Sequence, residues 1–255
     1  MTKNQLNLTS PGLSASIPRW VKGLLPILQG CPPVGLVNFG NLRRVKPISR
    51  EFGYDRGTPV DRYYIESFLT NYTNDIQGRV LEIGDDSYTR QFGGEQVKIR
   101  DVLHVNGNNP IATFVGDLTN ADHIPDNTFD CFILTQTLHL IYDFRAALNT
   151  IHRILKPGGV LLATVPGISQ ISSDEWADYW YWAFTTLSVQ RLFAELFPAD
   201  HLQIEAHGNV LAATAFLQGL SWTELTRKEL DYHDPCYQML ITIRAVKPEE
   251  AIDAA

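Results

Sequence analysis

The residues best placed to do chemistry begin at Gly78, in GRVLEIGDDSYTRQFGG. A short apolar run, Val80 to Ile83 with Glu82 inside it, stops at Gly84, and Asp85 and Asp86 follow at once. A buried strand ending at glycine lets the backbone turn sharply and a ligand come close to it. A second acidic turn, Gly116-Asp117-Leu118, follows another apolar run, and Gln136, Thr137 and His139 follow a third. Further along, Trp176, Tyr179, Trp180, Tyr181 and Trp182 crowd together with Asp174, Glu175 and Asp178. Flat aromatic faces rimmed by carboxylates suit a sugar or cyclic polyol, although aromatics in such numbers also make core or a homodimer seam. Arg43, Arg44, Arg50, Arg56 and Arg62, interleaved with aromatics such as Tyr63, offer cations to an anionic substrate, or form a solvated face.

These groups need a frame to hold them, and the pattern after Gly78 supplies one. Continuous apolar runs at Val80–Ile83, Val97–Val105, Ala112–Val115, Phe129–Leu134 and Val160–Val165 suit strands buried on both faces, as in a parallel sheet. Between the last two, Asp143 to Leu155 repeats its apolar positions at helical spacing, with Asp143 as cap and Lys156-Pro157-Gly158-Gly159 as stop. Leu202–Ala206 and Gln238–Val246 read as two more strands. Helices are expected after Pro59 to Tyr72, through Leu187 to Phe197, over Val210–Leu217 and over Trp222–Leu230. Residues 1–18 read as a loose polar arm, and Trp20–Leu28 as a short helix ahead of the break at Cys31-Pro32-Pro33.

This order of motifs resembles the class I S-adenosylmethionine-dependent methyltransferases, over roughly Gly78 to Val246. The resemblance is carried by LEIG at the first turn, GDL at Gly116–Leu118, IPDNTFDCFILTQTLHLI from Ile124 to Ile141, and above all RILKPGGVLLATVPG from Arg153 to Gly167. It implies a Rossmann-like three-layer α/β sandwich, with a mostly parallel seven-stranded sheet whose last strand is antiparallel. An N-terminal arm and helical cap would span residues 1–77 and the methyltransferase domain residues 78–255, with an acceptor-pocket insertion around 168–186.

The resemblance also implies S-adenosyl-L-methionine as cofactor. Gly84 would pass under its methionine part, with Glu82, Asp85 or Asp86 near the cationic amino group. Asp117 and the Leu118 amide would meet adenine, and Gln136 and Thr137 the sulfonium end. The chain departs from the family pattern twice. Asp85-Asp86-Ser87-Tyr88 stands where further glycines are usual, and His104 stands at the ribose position that normally carries an acid, with Asp101 three residues earlier. A neutral histidine is a poorer acceptor for a pair of hydroxyls than a carboxylate. Methyl transfer is an in-line displacement in which the protein aligns the partners and supplies a base where a hydroxyl must lose its proton. His139 is the best-placed histidine for that base. The expected acceptor is a small molecule, most simply a sugar or glycan precursor methylated at oxygen and held by Arg56, Tyr63, Tyr179, Trp180 and Trp182. An aromatic hydroxyl is the alternative acceptor, and a non-catalytic binding protein on this frame the alternative class. The WAFT stretch resembles a D-x-W-R-F-T pattern of glycan-linked methyltransferases, with Ala183 in the arginine's place.

Composition narrows the rest. At 44% hydrophobic residues the 255-residue chain can bury a substantial core. A net charge of −7 argues against a nucleic-acid partner, although residues 1–77 carry +4 and the remainder −11. Three scattered cysteines form no disulfide framework and no metal-ligand spacing, which fits a reducing, cytoplasmic setting. No apolar run reaches the ~20 residues of a membrane span.

Overall fold

The register of seven strands determines where everything else sits. In the computed structural model, which describes residues 32–249, the strands run in the order β3-β2-β1-β4-β5-β7-β6. They are β1 (Gly78–Ile83), β2 (Val97–His104), β3 (Phe114–Val115), β4 (Phe129–Thr135), β5 (Leu155–Pro166), β6 (Leu202–His207) and β7 (Leu240–Val246). The first five pair in parallel, and β7 runs antiparallel to both β5 and β6. This is the expected Rossmann-like sheet, built from β-branched and aliphatic runs that lack polar alternation because helices cover both faces.

Successive side chains of a strand point to opposite faces, and the core divides accordingly. Leu81, Phe132, Leu134, Leu161, Ala163 and Ile243 pack on one side with α3 (Phe144–Ile154) and α4 (Thr186–Phe193). Val80, Cys131, Ile133, Val160 and Leu162 pack on the other with α1 (Val60–Asn71) and α5 (Val210–Leu217). Each such fully buried aliphatic side chain contributes about 1.5–3 kcal/mol. Two shorter helices complete the set, α2 (Ser87–Gly93) and α6 (Arg227–Asp231).

Several local expectations are redrawn by hydrogen bonding. Helix α3 runs straight into β5 at Leu155, so Lys156 to Gly159 lie within that strand as an irregularity: Phe129 pairs with Leu155, but Cys131 already pairs with Val160. Lys156 Nζ is held there by both oxygens of Asp130, each at 2.8 Å. The single helix expected over Trp222–Leu230 is instead a 3-10 turn, Trp222–Glu224, followed by α6. Ser221 with Glu224 and Thr226 with Glu229 build two separate capping boxes, so the segment starts twice.

The chain divides between Lys46 and Pro47 rather than at residue 77. Residues 47–77 belong to the body, where α1 packs against α5 and β7. Of the unit ahead of that division, residues 32–46 contain a 3-10 turn at Gly40–Leu42, with Asn38 Oδ1 accepting from the Gly40 amide at 2.9 Å. The arm over residues 1–18 and the helix over Trp20–Leu28 lie outside the described residues. Among the described residues no helix is long and apolar enough to cross a membrane.

Candidate active site

Strand order singles out one place on the sheet. From β1 the chain crosses to β2 and β3 on one side, and β4 begins the other side with β5, so β1 and β4 flank a topological switch point. Ligands of open α/β sheets sit outside the carboxyl ends of the strands at such a point. Glu82 pairs with Ile133, which brings the turns that follow the two strands level with each other. Both turns enter the left-handed region, Gly84 at φ +82° and Gln136 at φ +48°. For Gln136 this conformation is uncommon and concentrates at functional turns. A Cβ built on Gly84 would meet nothing within 4 Å, so the space over the turn is open.

The acids around Gly84 are bound to their own chain. Glu82, 3% exposed, accepts from the Tyr88 amide at 3.1 Å, the Thr89 amide at 2.8 Å and Thr89 Oγ1 at 2.7 Å. It thereby holds the first turn of α2 onto β1. Burial pushes its carboxyl up to about 7, against the pull of the Thr89 and Tyr88 donors. Asp85 accepts from the Ser87 amide at 2.8 Å, and Asp86 pairs with Arg90 Nε at 2.8 Å and Arg100 Nε at 3.3 Å. These three carboxylates fix the turn and the helix after it. Asp101 is likewise taken, by Arg79 Nε at 2.6 Å.

His104 is the last residue of β2, its Nδ1 3.1 Å from the Asn106 carbonyl oxygen. The Gly116 amide donates to the His104 carbonyl at 2.9 Å, which aligns Asp117 and the buried Leu118 at the same edge of the sheet. Asp117 Oδ1 accepts from the Thr119 amide at 2.8 Å and so caps the turn that begins at Leu118. Gly84, His104, Asp117 and Gln136 thus line the carboxyl ends of β1 to β4 in order. Thr137 closes its turn by donating from Oγ1 to the Thr135 carbonyl at 2.9 Å.

His139 lies one short turn past Gln136 and is only 1% exposed. Both ring nitrogens lack a hydrogen-bond partner among the described residues, an expensive arrangement for a buried imidazole. Burial brings its pKa down to about 4, so the ring is neutral at neutral pH. Its carbonyl accepts from the Tyr181 amide at 3.0 Å and the Trp182 amide at 3.2 Å, which ties the aromatic insertion to this turn. The ring of Trp180 lies 4.4 Å from that of His139, and Phe52 stacks on the same indole at 6.0 Å with 13° between planes.

The five aromatics of the insertion do not form one pocket. Trp180 alone meets His139, while Trp182 packs on Phe144 and donates from Nε1 to the Ile141 carbonyl at 3.0 Å. Tyr179 is 52% exposed, and Asp174 caps its own turn at the Trp176 amide. Arg56 is engaged through Nε and Nη2 by Glu224, and Tyr63 donates to Asp231 at 2.6 Å while packing on Trp222. Both side chains thus engage the segment from Trp222 to Asp231. Residues that sequence reasoning passed over are Phe52, Asp61 and Asn109. Asn109 donates from its side-chain amide to the Gly84 carbonyl, and its sequence signal was only the turn-rich NGNNP.

Comparison with known proteins bears on the same region. Residues 79–163 match the family model described as a methyltransferase domain. The ubiquinone/menaquinone biosynthesis C-methyltransferase of Haemophilus ducreyi is 36% identical over 90 residues, which is 34% of this chain and 28% of that protein. Among solved structures, phosphoethanolamine N-methyltransferase 2 of Haemonchus contortus is 15% identical with TM-score 0.48, over 78% of this chain and 60% of that one. A SAM-dependent methyltransferase from Archaeoglobus fulgidus is 14% identical with TM-score 0.46, over 78% and 95%. The chain thus spans under a third of the length of the curated relative that it matches. The family match runs from the second residue of β1 into β5, through every strand end that lines the crevice.

Proposed function

We propose that the protein is an S-adenosylmethionine-dependent methyltransferase acting on a small, planar, largely apolar acceptor that carries an ionisable ring hydroxyl. The observation that carries this is His139, a buried neutral imidazole with both nitrogens unpartnered, set against Trp180 beside the switch-point turn. The cofactor fits the residues present: the turn at Gly84 is open, and His104 and Asp117 stand at successive strand ends within reach of a bound nucleoside. When bound, S-adenosylmethionine supplies an electrophilic methyl group on a sulfonium sulfur.

The chain's own residues do the rest. Phe52 and Trp180, stacked on each other, form an aromatic wall against which a flat acceptor packs, a contact worth about 0.5–1.5 kcal/mol beyond area alone. A ring nitrogen of His139 takes the acceptor proton, which raises electron density at the ring oxygen or an adjacent ring carbon. The wall around His139 excludes water from this step. A sugar acceptor loses its support, because Asp174 and the aromatics meant to flank it face different neighbours. A hydroxylated ring also accords with the Haemophilus ducreyi relative, a C-methyltransferase of ubiquinone/menaquinone biosynthesis.

Calorimetry with S-adenosylmethionine and S-adenosylhomocysteine, followed by a methyl-transfer assay on hydroquinones, catechols and sugar nucleotides, tests this. Binding of both cofactor forms with turnover of a ring hydroxyl substrate is expected. No binding at millimolar cofactor overturns the enzyme reading, and turnover confined to sugar nucleotides overturns the acceptor class.

A further inference from the structure

The start of α1 holds a second buried group without a partner. Asp61 is 7% exposed, and among the described residues its Oδ1 accepts no hydrogen bond. Its Oδ2 receives Arg62 Nη1 at 3.3 Å, and Arg62 Nε donates to Tyr54 Oη at 3.0 Å. A buried carboxylate oxygen left unsatisfied costs more than a hydrogen bond returns, so its persistence calls for a partner that arrives from outside. The cluster lies against α2, whose Tyr88 hydroxyl feels the charges of Arg62, Asp61 and Glu66. Tyr88 is also the residue whose amide is fixed by Glu82, four positions past Gly84. The Asp61–Arg62 pair therefore lies against α2, the helix that follows the Gly84 turn, and outside the stretch that matches the family.

We propose that Asp61 and Arg62 read the amino-acid end of the cofactor. The proposal rests on the methyltransferase reading and assigns recognition that the turn acids do not supply. Glu82, Asp85 and Asp86 already hold Thr89, Ser87, Arg90 and Arg100, whereas Asp61 is buried and keeps one oxygen for an ammonium group. Two of the five N–H donors of Arg62 are used, and those remaining on its planar fork suit a carboxylate. An ion pair facing a zwitterion in the opposite sense satisfies both charges.

S-Adenosylhomocysteine and 5′-methylthioadenosine separate this role from any other, because only the first carries the amino-acid group. Asp61→Asn and Arg62→Gln are expected to weaken S-adenosylhomocysteine by about tenfold or more while leaving 5′-methylthioadenosine within about twofold, as read by calorimetry. Retained 5′-methylthioadenosine binding also shows that the variants are folded. Unchanged S-adenosylhomocysteine affinity in both variants overturns the assignment and leaves the enzyme reading intact. Equal loss of both ligands overturns it too, since that marks a purely structural pair. A wild-type protein that binds neither ligand overturns the methyltransferase reading itself.

Discussion

The side-chain amide of Asn109 donates to the carbonyl of Gly84, so the loop after β2 is clamped onto the turn after β1. Asn109 Oδ1 meanwhile accepts from the Ile111 amide at 3.1 Å and shapes its own loop. This chain has no run of glycines to pre-form the turn, and Asn109 does that work from a distance. Asn109→Asp keeps the acceptor that shapes the loop and removes the donor that holds Gly84. A lost hydrogen bond of about 1–1.5 kcal/mol predicts roughly tenfold weaker S-adenosylhomocysteine binding, with thermal stability close to wild type. Unchanged affinity by calorimetry sinks the clamp.

Two buried groups should make stability respond to pH in opposite senses. The Glu82 pKa is raised from 4.5 to about 7, so the folded state binds its proton more tightly than the unfolded one. The stability this provides is complete below pH 4.5 and is lost as pH rises through about 7, on the order of 3 kcal/mol in all. The His139 pKa is lowered from 6.5 to about 4, so its contribution is complete above pH 6.5 and is lost as pH falls through about 4. Between pH 4.5 and 6.5 the two slopes oppose each other, and wild-type stability should be nearly flat. Urea unfolding of Glu82→Gln should then show stability rising with pH across this window, and His139→Gln should show it falling. Parallel, flat curves for both variants would remove these groups as the source.

Apolar continuity made the sheet legible in the sequence, since each run from Val80–Ile83 to Val160–Val165 has only one way to bury both faces. The strand-end positions His104, Asp117 and Gln136 followed from it, because a strand's end fixes where its next residue points. The partners of the carboxylates were not legible, for a different reason. Glu82 and Asp86 look free in sequence, but their partners Thr89 and Arg100 are set by how α2 and β2 fold back on the turn. Asp61 and Phe52 were hidden because they act from before β1, where only tertiary packing brings α1 against α2. The aromatic insertion misled by composition: Trp180 turns to His139, Tyr181 and Trp182 share Tyr142, and Trp176 meets Tyr179.

His139 leads to a pH–rate expectation distinct from that of an exposed histidine. With its pKa near 4, the base is deprotonated throughout the neutral range. Turnover should therefore hold steady from pH 8 down to pH 6 and lose activity only toward pH 4–5, where a solvent-exposed base would fail near its ordinary value of ~6.5. His139→Gln should lower kcat by about 10²-fold or more and leave S-adenosylhomocysteine affinity unchanged. An acid limb centred near 6.5, or full turnover in the variant, removes His139 as the base.

Phe52 offers a test of the acceptor wall that separates strain from contact. Its φ of +55° places a bulky residue in the left-handed region, next to Gly53 at φ +104°, whose added Cβ would come within 2.5 Å of the Leu220 carbonyl. The turn is thus held open by tight packing, and Phe52 bears a backbone cost of about 1–2 kcal/mol while its ring covers Trp180. Phe52→Ala removes the ring and keeps the strain; Phe52→Gly removes both. Phe52→Gly should be the more stable of the two by about 1 kcal/mol in urea unfolding. Both should raise KM for the acceptor by a similar factor, about tenfold for a lost stacking contact, with cofactor affinity unmoved. Equal stability of the two variants would show that the conformation is unstrained. An unchanged acceptor KM would place the acceptor away from the Phe52–Trp180 wall.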